Sequence, residues 1–296
     1  MTQKGPKRLI ESVGVLAYAG REAAVECAGN LARFLEGRGV PVRFRQDLAA
    51  ALGCPDRGAP DEALGAASLL VALGGDGTLL TANRVASPHG TPILGVHVGG
   101  TGSFGFLTVT TPAEATSVLA SVLDGNYEID ERLMVAAEVR REGTVVDTRS
   151  ALNEIVLRSR LRMLKLRIEV EGTFIATYAA DGIIVATPVG STAYNLAAGG
   201  PLVHPAVETI LLTPICPHTL NVRSLLVPVN HTIDVTLEGN QADETLLTVD
   251  GQETRALQPG DTVRFSRGEQ RARFVVVDGP EFYKKVHTRL RLGERF

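Results

Sequence analysis

Apolar residues follow two rhythms along the 296-residue chain, and the change comes near Asn126. Before it, short apolar runs alternate with stretches of helical spacing. Residues 12–18 read as a strand buried on both faces, as parallel sheets require. Over 21–38 the apolar positions Ala24, Ala28, Leu31 and Leu35 recur at helical spacing, and Gly37 and Gly39 can end the helix. Strands are expected at 40–45, 69–73 and 92–98, with helices at 79–85 and 112–123. The second of these has Pro112 at its start and Glu114 in its first turn. Strand and helix alternate throughout, which predicts an α/β domain with a mostly parallel, Rossmann-like sheet over residues 1–124.

After Asn126 the period shortens to two. Strands are expected at 133–140, 144–148, 152–157, 164–170 and 183–186, then at 225–229, 232–237, 246–249, 262–266 and 271–277. Gly143 and Gly172 mark turns. So many short strands predict an all-β domain, sandwich or layered, over 125–278. Residues 279–296 form a tail, helical over 282–292, that returns to the first domain.

One stretch carries the first chemical signal. The strand ending at Leu73 runs into Gly74-Gly75-Asp76-Gly77-Thr78, with a helix expected to open near Thr78. A strand, a glycine-rich turn and a helix N-terminus make an anion site, because unpaired N–H groups and the helix dipole face the same point. A carboxylate is out of place in a bare anion cradle. Asp76 either caps the helix and holds the turn or orients a hydroxyl and takes its proton during phosphoryl transfer.

Three further stretches bear on function. Gly100-Thr101-Gly102-Ser103-Phe104-Gly105 fits a dinucleotide fingerprint by letter, but residues 108–111 read as extended or loop where that fingerprint needs a helix; a flexible glycine-rich lid is the expectation. Asn153-Glu154 pairs an amide with a carboxylate in a strand-like stretch, where neighbours point to opposite faces. The pair is either an exposed strand end or a clamp for a diol such as ribose. The third stretch runs from Asp181-Gly182 through an apolar strand to Thr187-Pro188-Val189-Gly190-Ser191-Thr192-Ala193-Tyr194-Asn195. Its hydroxyl-rich turn is a second polar cradle, with Ser191 and Thr192 as ligand contacts or caps and Tyr194 as a stacking face.

Composition narrows the partners. A formal net charge of -3 gives no electrostatic footprint for nucleic acid. No apolar run reaches the roughly 18 residues of a membrane span, and residues 13–17 read as a core strand rather than a signal sequence. Cys27, Cys54 and Cys216 have neither metal nor disulfide spacing, which fits a reducing, cytoplasmic setting.

Gly74-Gly75-Asp76-Gly77-Thr78, Asn153-Glu154, Asp181-Gly182 and Thr187 to Tyr194, in this order and spacing, closely resemble the NAD kinases, over nearly the whole chain as far as Val249-Asp250-Gly251-Gln252. The Gly-Gly-Asp-Gly motif is shared with lipid kinases and phosphofructokinases; the Asn-Glu pair and the Thr-Pro run are the specific part. The resemblance implies transfer of the γ-phosphoryl of ATP to the 2′-hydroxyl of the adenosine ribose of NAD. It implies Asp76 as general base, with Gly75 and Gly77 shaping the phosphate turn. It implies Asn153 and Glu154 on ribose hydroxyls, Asp181 toward the nicotinamide, and Thr192, Ala193 and Tyr194 around the adenosine, with Asn195 and Ala197 nearby. Arg162 and Gln252 fall where relatives have further contacts. It further implies a divalent metal, usually Mg2+ brought with ATP, and a cytoplasmic homodimer or homotetramer.

The chain departs from the family pattern at Val189, where a hydroxyl residue is usual, at Ala197, where serine is common, and at His97, where asparagine is usual; the loop at 99–105 is longer. Two rivals follow from the residues: a lipid or other small-molecule kinase sharing the Gly-Gly-Asp-Gly turn, and a non-catalytic dinucleotide sensor.

Overall fold

A computed structural model describes residues 3–4, 9–99, 105–159, 162–219, 221–239, 245–277 and 282–291. The chain divides into two compact units, Met1–Glu131 with Ala272–Phe296, and Arg132–Arg271.

The first unit opens with β1 (Gln3–Lys4), β2 (Val13–Ala17), α1 (Glu22–Gly37), β3 (Val42–Arg45), α2 (Gln46–Ala51), β4 (Gly58–Ala59) and α3 (Asp61–Gly65). It continues with β5 (Leu69–Gly74), α4 (Asp76–Ala86), β6 (Ile93–His97), α5 (Ala115–Leu123) and the first residues of β7 (Glu128–Arg141). Strands β6, β5, β2, β3 and β4 are neighbours in that order and all run parallel. β2 and β5 are buried at every position, as the unbroken apolar runs predict for strands covered on both faces. Six residues of α1 point inward, Ala24, Cys27, Ala28, Leu31, Ala32 and Leu35. They meet Val13, Val15, Leu69, Val71 and Leu73 in one core.

The second unit takes up the rest of β7, then β8 (Thr144–Ala151), β9 (Glu154–Ser159), β10 (Leu164–Val170), β11 (Thr173–Ala180), β12 (Gly182–Ala186) and the short helix α6 (Tyr194–Ala197). After these come β13 (Thr209–Ile215), β14 (Leu225–Pro228), β15 (Ile233–Glu238), β16 (Thr245–Val249), β17 (Glu253–Ala256) and most of β18 (Thr262–Val276). One antiparallel sheet has the order β14, β13, β12, β9, β16, β17; a second set of antiparallel strands includes β11, β10, β15 and β18. Leu157, Ile183, Val185 and Leu212 of the first sheet share a core with Leu166, Ile168, Val235 and Phe265 of the second, so the two are layered face to face. The last residues of β18 lie beside β6, pairing Phe274 with Ile93 in parallel, and α7 (Phe282–Leu290) belongs to the first unit.

The α/β and antiparallel-β character follows the apolar periods. Several elements differ from the sequence expectation. Helix α4 opens at Asp76 rather than near Thr78. The separate strands expected at 262–266 and 271–277 are one continuous strand, β18, which runs on through the exposed Arg267, Glu269 and Gln270. β11, β13, β17, α2 and α3 carried no period clear enough to announce them: β13 mixes Thr and Pro among its apolar residues, and α2 and α3 are six and five residues long. The lid expected around the Gly100 to Gly105 motif lies, apart from Gly105, outside the described residues.

Candidate active site

In the first unit, β5 ends at Gly74 and the chain turns at Gly75 into α4. Gly75 and Gly77 have open space where a side chain would stand, so backbone N–H groups at this helix start are approachable by an anion. Asp76 is the first helical residue, after an N-cap glycine, Gly75, that makes no side-chain cap. The Oδ2 accepts from the Phe106 N–H at 3.1 Å and the Oδ1 from the Leu107 N–H at 3.2 Å. A carboxylate thirty residues away in sequence thus organises the backbone at Phe106 and Leu107. Gly105 makes the approach possible, because a Cβ there would overlap Asp76 Oδ1. Arg289 of α7 reaches within 3.7 Å of Asp76 Oδ2.

In the second unit the Asn153-Glu154 pair is built from behind. Thr187 donates its hydroxyl to Leu152 O at 2.5 Å and its backbone N–H to Asn153 O at 2.8 Å. Gly190 packs so closely on Asn153 that a Cβ would overlap the Asn153 carbonyl oxygen. From the turn after β16, Asp250 accepts backbone N–H bonds from Leu152 at 2.9 Å, Asn153 at 2.8 Å and Glu154 at 3.1 Å. Asp250 itself sits at φ 48°, a left-handed turn position that Asp tolerates.

The two side chains are not the exposed strand end that the sequence left open. Asn153 is 9% and Glu154 6% exposed. Strand β9 begins only at Glu154, so the opposite-face argument does not apply to Asn153. Burial, and after it the neighbouring Asp250 carboxylate, push Glu154 up to about 8, against the pull of the Tyr194 N–H it accepts. Its Oε2 is buried without a protein hydrogen-bond partner. A buried acid with a spare oxygen is equipped to meet a ligand hydroxyl. Burial also raises Asp250, opposed by the three N–H groups it accepts.

The Thr-Pro run folds as a 3₁₀ turn, Gly190–Thr192, followed by the four residues of α6. Ser191 is fully buried and links Pro188 O and Val203 O. Thr192 bonds Val189 O at 3.1 Å rather than capping a helix by its side chain. Asn195 is fully buried: its Nδ2 donates to Ser191 O and Pro201 O, and its Oδ1 accepts from Thr213 at 2.7 Å. Its side chain is therefore spent on the scaffold. Ala193 is half-buried, while Tyr194 and Ala197 are exposed at the surface of this loop.

Asp181 is exposed at the start of β12; its backbone carbonyl accepts from the Ser159 N–H, and the Ser159 hydroxyl accepts from the Arg162 N–H, so Asp181 and Arg162 share one corner. Gln252 is exposed two residues after Asp250 in the β16–β17 turn. The sequence reading quoted Asp250, Thr187 and Gly105 within its motifs without giving any of them a role of its own, and it did not name Arg289. A Val-Asp-Gly turn marks Asp250 weakly; nothing local marks Arg289. Among the described residues no group of three or more His, Cys, Asp or Glu side chains could hold a metal, and no helix is long and apolar enough to cross a membrane.

Comparison with known proteins places these features in one lineage. The family model of the ATP-NAD kinase N-terminal domain matches residues 13–127, and that of the C-terminal domain residues 152–277. The NAD kinase of Moorella thermoacetica is 42% identical over 286 residues, covering 96% of this chain and 90% of that protein. That of Symbiobacterium thermophilum is 41% identical over 270 residues, covering 90% and 94%. Yeast NADH kinase, solved in complex with NADH, aligns with a TM-score of 0.88 at 25% identity over 98% of this chain and 90% of that chain. An NAD kinase from Archaeoglobus fulgidus, solved in complex with ATP, gives 0.73 at 25% identity over 95% and 98%. Matched in order by both domain models, and closely related to NAD kinases over nearly its full length, the chain belongs to the NAD kinase family.

Proposed function

We propose that the protein transfers the γ-phosphoryl group of ATP to the 2′-hydroxyl of the adenosine ribose of NAD, giving NADP and ADP. The observation that carries this reading is a carboxylate, Asp76, at the mouth of an open glycine turn and a helix N-terminus. In the reaction a bond forms between the ribose O2′ and the γ-phosphorus. The bond from that phosphorus to the β-bridging oxygen breaks, and ADP leaves with its electron pair. Asp76 orients the hydroxyl and takes its proton. The remaining work is positioning, since phosphoryl transfer asks little covalent chemistry of the protein. Gly75 and Gly77 leave the turn open to phosphate.

The second unit supplies the dinucleotide contacts. Asn153 and Glu154 hold ribose hydroxyls, a role supported by the burial of both and by the spare Glu154 oxygen. Thr192, Ala193 and Tyr194 face the adenosine; Asn195 acts through the loop it ties down, with Ala197 exposed beside it. Asp181, Arg162 and Gln252, all exposed, make outer contacts, Asp181 toward the nicotinamide.

A divalent ion is implied for an ATP-using kinase, and we take it to be Mg2+. The residues fit an ion carried by the nucleotide: Mg2+ usually needs only one or two carboxylates beside phosphate oxygens and water, and the turn offers Asp76. When bound, the ion neutralises phosphate charge. We place the protein in the cytoplasm, since Cys27, Cys54 and Cys216 are all free thiols. A homodimer or homotetramer is supported by exposed Val145 and Val146 on β8 and Phe174 and Ile175 on β11.

The test is purified protein with ATP, magnesium and NAD, with product read by an NADP-specific dehydrogenase. NADP formation in the wild type, falling by about 10²–10⁴ in kcat in Asp76→Asn with NAD binding retained, is expected. Turnover near normal in Asp76→Asn removes Asp76 from the mechanism. Phosphorylation of a lipid but not of NAD supports the lipid-kinase rival, and NAD binding without ATP consumption supports the sensor.

A further inference from the structure

The base of a phosphoryl-transfer site must be held still, because its own motion is lost rate. Three contacts fix Asp76, two from residues 106–107 and one from the far end of the chain. Its two oxygens accept the N–H groups of Phe106 and Leu107. The Arg289 guanidinium lies 3.7 Å from Oδ2 and also stacks over the Phe106 ring, with its Cζ 5.1 Å from the ring centroid. One turn earlier on α7, Lys285 donates from Nζ to Phe106 O at 3.2 Å and to Thr108 O at 2.8 Å. Arg289 and Lys285 are four residues apart, so they leave the helix on one face. One helix face therefore grips both the carboxylate and the backbone that hydrogen-bonds it.

We propose that Arg289 is a positioning residue for Asp76: α7 clamps the segment from Phe106 to Thr108 and sets the carboxylate for proton abstraction. The proposal rests on the kinase reading above. Stability alone does not explain the arrangement. The Asp76–Arg289 pair is partly exposed, with side chains 32% and 27% accessible, and such pairs contribute little to folding. Neither side chain of α7's clamp is buried, and among the described residues of that helix none is. What the pair does supply is orientation, since a guanidinium beside one carboxylate oxygen restricts which way the other faces.

The experiment is a double-mutant cycle in the full-length protein between Arg289→Ala and Asp76→Asn, with Arg289→Lys and Arg289→Gln alongside. NADP formation, KM for NAD and for ATP, and the thermal midpoint are measured for each. Arg289→Ala is expected to lower kcat about 10- to 100-fold, to leave both KM values within about threefold and to leave the midpoint near wild type. Arg289→Lys is expected to recover part of the loss. In the Asp76→Asn background, removing Arg289 is expected to change kcat by less than about threefold, because a residue acting through Asp76 has nothing left to position. An equal loss in both backgrounds, an unchanged kcat, or a loss confined to KM overturns the proposal. Should Arg289→Ala fail to fold, Arg289→Gln takes its place in the cycle with the same criteria. A wild type that makes no NADP overturns the kinase reading itself; an active wild type with an unaffected Arg289→Ala overturns the positioning role alone.

Discussion

The Asp250 Oδ1 accepts a hydrogen bond from the Asn153 backbone N–H at 2.8 Å, across 97 residues of sequence. The same oxygen takes the Glu154 N–H at 3.1 Å, and Oδ2 takes the Leu152 N–H at 2.9 Å. The return bond runs from the Asp250 N–H to Glu154 O at 3.0 Å. One turn side chain thus shapes the backbone that presents Asn153 and Glu154.

Asp250→Ala removes the acceptor for all three amides. Hydrogen bonds to charged groups are worth about 1.5–3 kcal/mol, and amides left unpaired add to the cost. A loss of about 2–4 kcal/mol in unfolding free energy is expected from urea titration. KM for NAD should rise more than kcat falls, because the residue lies behind Asn153 and Glu154, which we propose hold ribose, rather than at the Gly75-Asp76 turn. Unchanged stability and KM would show that the three bonds are not needed to hold Asn153 and Glu154.

Glu154 gives a pH dependence with a definite sign. Its folded value is about 8, against about 4.3 in an unfolded chain. The folded state therefore binds more protons between these values, and stability falls as pH rises through that window. Its burial is most favourable below about pH 4.3 and least so above pH 8. Asp250, also raised, acts in the same direction. Glu154→Gln, which cannot ionise, should flatten the profile: relative to wild type it should gain stability at pH 8.5 compared with pH 5.5. Parallel urea curves for wild type and variant at the two pH values would refute the assignment.

Gly105→Ala tests how closely the loop must approach Asp76. A methyl group there overlaps Asp76 Oδ1, so the carboxylate or the loop has to shift. A displacement near 1 Å at a reacting group can cost on the order of 100-fold in rate. The expected result is a drop in kcat of about 10- to 100-fold with a folded protein by circular dichroism. Full activity would mean that the contact between Gly105 and Asp76 relaxes without cost to the chemistry.

Much of this is legible in the sequence. The apolar runs at β2 and β5 announced parallel strands, since both of their faces are covered. The two-residue alternation after Asn126 announced antiparallel ones. The Gly-Gly-Asp-Gly turn, the Asn-Glu pair and the Thr-Pro run were readable because their chemistry depends on residue type at short spacing. Local sequence fixes a turn's backbone and a helix start, and these are where the ligand-type groups sit.

Other features had no local signature. Whether Asp76 capped its own helix or reached elsewhere depended on where residues 105–107 came to rest. Whether Asn153 and Glu154 were exposed depended on Asp250, Thr187 and Gly190, which are distant in the chain and meet only when β9, β12 and β16 pair. Arg289 is an ordinary exposed-looking basic residue in a short amphipathic helix until α7 packs beside the segment after Gly105. The sequence by itself determined the period of the longer elements and the identity of the candidate site groups, because backbone propensity and side-chain chemistry are local. The tertiary structure alone decided the partners, the burial and the proton affinity of those groups, because these follow from what is brought near in space.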